Sequence, residues 1–301
     1  MTTTPTATST AIPTSANGGF VPAPISKIEE TGLSLLWLQD LALKIIYYQG
    51  YITGFRMAEE LCLPFGGVVD QLMESLKREK LLEVRSSGQM GLGEGTYMYA
   101  ITGAGTARAR EALDRCQYAG PAPVPLDVYS KAIRSQTRGR FSVTNRIMRQ
   151  VLASLVLSEK TFQRLGPAVN SNPSIFLYGP PGNGKTSVAR AIGQMASTTT
   201  MYIPYAVYID GQVVKVYDSV NHQAAPEESK ESSTARLRAN PRRDPRWIRV
   251  RRPFIVTGGE LTLSGLDLVF DDTLKYYEAP FQMKANGGIL FAQSKSNVQY
   301  Q

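Results

Sequence analysis

Apolar positions recur along this chain with two different periods, helical in its first part and mixed with strand-like runs in its second. Leu33, Leu35, Leu36, Leu38, Leu41, Leu43, Ile45 and Ile46 return at near-helical spacing until Gly50, which predicts a first helix. A short helical piece from about Gly54 to Leu61 is broken at Pro64, and Val68, Val69, Leu72, Met73, Leu76 and Leu81 mark a third helix. Next come Leu82-Glu83-Val84-Arg85, the glycine-rich turn SSGQMGLGEG and the alternating run from Thr96 to Ile101, the pattern of a two-stranded hairpin with a flexible tip. Helix, helix, helix, hairpin is the winged-helix order. A further helix from Thr106 to Gln117 closes the unit, and the closely spaced prolines of YAGPAPVPL favour an extended linker. The expected organisation is a tail over 1–30, a small winged-helix-like α+β domain over 31–117, a linker over 118–126 and a second domain over 127–301.

In that second part, residues 131–150 hold Lys131, Arg134, Arg138, Arg140, Arg146 and Arg149 with no acid, and a helical run from Ile147 to Leu157 follows. Ser174 to Tyr178 is a short apolar run rich in strand formers. Ser187 to Met195 reads as a helix with Val188, Ala191, Ile192 and Met195 on one face. Further strands are expected at Met201 to Ile209, Gln212 to Tyr217, Phe254 to Thr257 and Gly288 to Phe291, with Asp210-Gly211 as a hairpin turn.

Composition narrows the class. The chain has 301 residues, 43% of them hydrophobic, enough to bury a full core and to form two domains. Its longest apolar stretch, Leu33 to Tyr48, is interrupted by Gln39, Asp40 and Lys44, short of the roughly 18 uninterrupted apolar residues of a membrane span. The opening MTTTPTATSTAIPTSANGG has neither a basic region nor an apolar core and reads as a disordered tail, not a signal peptide. With only Cys62 and Cys116, the chain suits a reducing cytoplasm better than a disulfide scaffold. The net charge of +8 favours polyanionic partners.

Gly179-Pro180-Pro181-Gly182-Asn183-Gly184-Lys185-Thr186 matches G-x-x-x-x-G-K-[ST] and stands between an expected strand and an expected helix. Glycines let the backbone curl around phosphate oxygens, and successive N–H groups with the open helix N-terminus form an anion site. Lys185 would neutralise the β- and γ-phosphates, Thr186 would hold Mg²⁺ through its hydroxyl, and Ser187 would follow in the same first helical turn. The candidate nucleotide-binding residues are thus Gly179, Pro180, Pro181, Gly182, Asn183, Gly184, Lys185, Thr186 and Ser187, with Mg-ATP as the cofactor.

The stretch from Leu165-Gly166-Pro167 through SIFLYGPPGNGKTS, with RPFIVTGGELTLSGLDLVFD and YYEAPFQMKANGGILF further on, resembles a group of bacterial AAA+-type ATPases loosely described as chaperone-like. The resemblance covers most of residues 127–291. It implies an α/β fold, the P-loop αβα sandwich, with ATP and Mg²⁺ as ligands, an oligomeric working form, often a ring, and a protein client to remodel. It also places an acidic pair directly after Gly287-Gly288-Ile289-Leu290-Phe291, where this sequence has Ala292-Gln293-Ser294-Lys295 and ends at Gln301. The expectation is therefore a sandwich incomplete at its C-terminal side, without the arginine and helical lid that the resemblance implies. The phosphate-loop strand would then lack both sheet neighbours.

Hydrolysis needs a carboxylate to complete the Mg²⁺ shell and orient water. Leu268-Val269-Phe270-Asp271-Asp272 is an apolar run ending in two acids, so Asp271 and Asp272 are the catalytic candidates, against a solvated helix end as the plainer reading. Glu260, Asp210 and Asp218 are lesser ones. Residues 236–252 hold eight arginines and one acid, with Trp247 and Ile248 interleaved. From Arg236 to Arg252 this segment could contact nucleic acid, form a solvated loop, or face another subunit's acidic surface. The third helix offers Asp70, Gln71 and Glu74 where a DNA reader needs donors, with Lys77, Arg78 and Lys80 only at its end, which favours protein contact. His222, the single histidine, excludes a histidine-based metal cluster or triad and reads as a loop residue. The competing functional readings are an ATP-binding remodeller, a nucleotide-sensing DNA-binding regulator and a non-functional remnant.

Overall fold

The computed structural model describes residues 20–86, 94–137, 143–171, 174–180, 182–226, 243–258 and 261–293. The N-terminal elements begin where their caps stand. Ser34 accepts the N–H of Trp37 and starts α1, Leu35–Gln49, which Gly50 ends at φ 79°. Strand β1, Tyr51–Thr53, runs into α2, Gly54–Leu61, with the Thr53 hydroxyl accepting from the N–H of Arg56. Pro64 and the non-helical Gly66 and Gly67 kink the chain before α3, Asp70–Arg78, which is shorter at both ends than the apolar spacing predicts. Strands β2, Leu82–Ser86, and β3, Met98–Ile101, follow, and the three strands form an antiparallel sheet in the order β1-β3-β2. Seven residues of the turn between β2 and β3 lie outside the described residues.

Helix α4, Gly103–Arg115, is capped by Thr102 and packs on α1. Gly105 sits so close to the chain that an added Cβ would come within 2.2 Å of the Leu81 carbonyl oxygen. Arg108 ties the helices together through Asp40, Gln39 and Glu79. Leu38, Leu41, Ile46, Met57, Leu61, Leu72 and Leu76 are fully buried between these elements.

The proline-rich segment is extended, as expected, but it is packed instead of free. Tyr118, Ala122 and Val124 are buried, the Ala122 N–H donates to Leu61 O, and β4, Val124–Pro125, pairs parallel with β6, Ala206–Ile209. Proline is tolerated there because β4 is an edge strand, whose outer side needs no donor. An unforeseen helix α5, Leu126–Thr137, follows, burying Tyr129, Ala132, Ile133 and Gln136 on one face. Helices α6, Asn145–Val151, and α7, Glu159–Asn170, replace the single run expected from Ile147 to Leu157. Ser158 caps α7 by accepting from the N–H of Thr161. Helix α8, Lys185–Ala196, matches its predicted position and buried face.

The expected strand from Met201 to Ile209 is two strands in two sheets. Strand β5, Thr200–Pro204, pairs antiparallel with β8, Trp247–Arg251, and the chain turns at Tyr205 before β6. Through the left-handed Asp210-Gly211 turn β6 reaches β7, Gln212–Lys215. Strand β7 pairs parallel with β11, Tyr276–Glu278, and β11 antiparallel with β10, Val269–Asp271, giving a five-stranded mixed sheet, β10-β11-β7-β6-β4. Strand β9, Phe254–Thr257, pairs parallel with β12, Ile289–Ala292, after the short helix α9, Phe281–Lys284. Ser174 to Tyr178, expected as the strand before the phosphate loop, has no strand pairing among the described residues, and Phe176 and Tyr178 are exposed. An isolated run of strand formers without ladder partners does not make a strand.

The fold is mixed α/β, with three packed cores among the described residues. The first extends from the N-terminal helices onto Ala206, Val213 and Tyr276 of the five-stranded sheet. Trp37 meets Tyr208 edge-on with ring centroids 5.3 Å apart. The third core sets α8 against α6 and α7.

Candidate nucleotide-binding site

The phosphate-loop glycines adopt backbone conformations that few other residues tolerate: Gly179 at φ 142°, Gly182 at 84° and Gly184 at 70°. Space is not the reason, since a Cβ added at any of the three would meet nothing within 4 Å. Gly184 is the N-cap of α8 and supplies no side-chain acceptor, so the first N–H groups of this helix remain open for an anion. Val188, Ala191, Ile192 and Met195 bury the opposite face and fix the helix. At Gly193 an added Cβ would fall 2.3 Å from the Phe254 ring, so α8 lies close against β9.

Lys185 directs its ammonium back over the loop, donating to Gly179 O at 2.9 Å and Pro180 O at 2.7 Å. No carboxylate pairs with it among the described residues. The hydroxyls of Thr186 and Ser187 make no hydrogen bond to any described residue, and Asn183 is exposed. Pro181 lies outside the described residues. Open amides, a cation engaged only by neutral carbonyls and a free hydroxyl in the first helical turn fit a polyphosphate with its Mg²⁺.

Residues 175–227 match the family model described as ATPase family associated with various cellular activities (AAA). The AAA match takes in the loop, α8, β5, β6 and β7. It supports an AAA-type ATPase, nucleotide-binding function, and that family uses ATP, usually with Mg²⁺. A search of curated proteins found no match.

The structure does not bring Asp271 and Asp272 to Lys185. The expected helix end is strand β10, and Asp271 Oδ1 accepts the N–H groups of Thr273 and Leu274 at 2.8 and 2.9 Å, closing the turn into β11. That turn belongs to the five-stranded sheet, whereas α8 stands on β9 and β12. Asp210 occupies the β6–β7 turn, Glu260 lies outside the described residues, and β12 continues into Gln293. Among the described residues no group of three His, Cys, Asp or Glu side chains is placed to hold a metal, and no helix is long and apolar enough to cross a membrane.

Two arginines of the basic segment face inward. Arg246 is 2% exposed, forms a bidentate pair with the equally buried Asp244, and donates through Nη1 to Thr31 O and Pro123 O at 2.8 and 3.0 Å. Arg252, also buried, donates to Thr199 Oγ1, Gly287 O and Gln136 O. Neither guanidinium is available to nucleic-acid phosphate. Arg243 lies over the Tyr202 ring, Arg249 donates to Thr200 Oγ1, and Arg236, Arg238 and Arg242 lie outside the described residues.

His222 is in a loop, as expected, yet only 2% exposed. Its Nδ1 accepts the Asp218 N–H at 3.1 Å and its Nε2 donates to Lys284 O at 2.8 Å, the tautomer those partners require. Burial lowers its pKa. Lys284 completes the cluster with an ion pair to Asp218 at 3.0 Å. Sequence reasoning missed this cluster; its four-residue Asp218-to-His222 spacing was the only local signal.

Proposed function

We propose that this chain binds Mg-ATP through Gly179–Ser187 and, as an oligomer, hydrolyses it to remodel a protein partner in the cytoplasm. The observation that carries the reading is the uncapped N-terminus of α8, set behind left-handed glycines, with the Lys185 ammonium bonded only to loop carbonyls. Lys185 would exchange the Gly179 and Pro180 carbonyls for the β- and γ-phosphates, because a charge-assisted bond to phosphate is stronger than one to a neutral carbonyl. Thr186 would supply one oxygen to Mg²⁺, and the loop amides would hold the remaining phosphate charge. Bound ATP supplies the phosphoryl group that water would attack.

The order α1-β1-α2-α3-β2-β3 with its three-stranded sheet supports a winged-helix reading of the N-terminal unit. The acidic face at Asp70 and Glu74 supports contact with protein in preference to DNA. Titration of a fluorescent ATP analogue tests the nucleotide site. Lys185→Ala should weaken binding at least about tenfold, the scale of one lost charge-assisted contact. Because Lys185 bonds only to exposed loop carbonyls, the nucleotide-free melting temperature should stay unchanged. Equal affinity in the two proteins would sink the proposal.

A further inference from the structure

A cavity of about 250 Å³ lies where the 117–121 segment meets the five-stranded sheet, away from the phosphate loop. Tyr118, Tyr205, Tyr217 and Tyr276 line it, with Lys215 and Leu274. The rings are ordered in edge-to-face pairs, Tyr118 on Tyr276 at 5.6 Å and Tyr205 on Tyr217 at 5.5 Å. Tyr217 also stacks on the buried His222 ring, which holds it from behind.

Its polar groups divide sharply. The Tyr118 hydroxyl donates to Pro121 O at 2.7 Å and is spent on closing the turn. The hydroxyls of Tyr205, Tyr217 and Tyr276 and the Lys215 ammonium have no hydrogen-bond partner among the described residues, and none of them is a buried unsatisfied atom, so these four groups of lining residues keep contact with solvent. Glu278 is the sheet partner of Lys215, but its carboxylate lies 3.6 Å from Lys284 and forms no ion pair with Lys215. Among the described residues no carboxylate lines the cavity. Burial pushes the Tyr205 phenol up to about 12, so it stays a neutral donor at physiological pH.

We propose that this cavity is a binding site for a small aromatic carboxylate, a single ring held between the tyrosines with its anionic end on Lys215 and the free phenol hydroxyls. Ring faces and edges supply the shape for one planar group, and the volume holds one ring and a carboxylate, not a nucleotide. A lone ammonium ringed by neutral donors selects an anion. The site is independent of the phosphate loop, so neither reading depends on the other.

The test uses the full chain and 4-hydroxybenzoate as probe, followed by ligand-observed NMR and by melting temperature, with phenol and acetate as the ring-only and charge-only controls. Saturable binding is expected, at least about tenfold tighter than either control, and weakened about tenfold or more by Lys215→Met and by Tyr217→Leu. Lys215 is only half-buried, so Lys215→Met should keep the ligand-free melting temperature. The control ligands on the unsubstituted protein decide the matter should Tyr217→Leu fail to fold. No saturable binding up to about 10 mM, weaker than any specific site, would overturn the proposal. So would equal affinity in the Lys215→Met protein, or phenol binding as tightly as the carboxylate.

Discussion

Arg246 illustrates what one residue contributes when its charge is taken out of water. Its guanidinium satisfies Asp244 and two carbonyls from distant parts of the chain, Thr31 and Pro123. Arg246→Met would leave Asp244 buried without a counter-charge and both carbonyls without a donor. Removal of one partner of a buried pair costs about 3–5 kcal/mol. Urea denaturation should show that loss, and Asp244→Asn added to Arg246→Met should recover part of it; a loss under about 1 kcal/mol, typical of surface changes, would mean the pair is dispensable. The basic segment was legible as a run of charge but not in its direction. Arg246 reaches Thr31 and Pro123, and Arg252 reaches Thr199, Gly287 and Gln136, only through contacts from distant parts of the chain, which periodicity does not encode. The phosphate loop was legible because its geometry is local: three glycines, a lysine and a threonine within eight residues specify the turn and the chemistry together.

Elements were readable where a cap, a period and a stop coincided, as in α1 between Ser34 and Gly50, and where the period alone was clear, as in α8. They were not readable where partners decide. Ser174 to Tyr178 has strand composition and no ladder, while Val124–Pro125 has a proline and forms an edge strand. Helix α5 was hidden because Ala132 and Gln136 occupy half its buried face. The contact between α8 and β9 makes a further prediction: Gly193→Ala drives a methyl group into the Phe254 ring, and overpacking of this kind costs about 1–3 kcal/mol. Equal urea midpoints for the two proteins would show that the ring gives way freely. The loop from Asp218 to His222 and its anchor α9 should respond to acid. Burial holds the His222 pKa below its ordinary 6.5, so the unfolded chain takes up the proton first; this stabilisation is complete above about pH 6.5 and declines as the pH falls below it. Burial pushes the Asp218 carboxyl up, but the Val220 N–H, Lys284 and Asn221 outweigh it and hold the pKa at about 2. That contribution is present above 3.8 and is lost as the pH falls towards 2. Unfolding free energy should therefore fall in two steps on acidification. As His222 is the single histidine, His222→Gln should flatten the first step and leave the second.

At the scale of the whole molecule the proline-rich segment joins instead of separating. Ala122 bonds to Leu61, Gln117 N–H to Leu274 O and Lys275 to Asp114 O, and β4 is sewn into the sheet. Arg246 then fastens Thr31 and Pro123 to the start of β8. The chain carries two tryptophans, one on each side of this seam: Trp37 in α1, against Tyr208, and Trp247 at the start of β8, in the second core. Single-tryptophan proteins made with Trp37→Phe or Trp247→Phe should report coincident urea transitions, because neither side can open without exposing the shared apolar contacts. In the Arg246→Met background both transitions should shift together to lower urea, since the seam keeps the apolar contacts that couple its two sides and loses only its buried donor. A Trp37 transition complete before that of Trp247 begins, in the protein with Arg246 intact, would mean that the two parts fold as separate domains and that the packed 118–126 segment couples them only weakly.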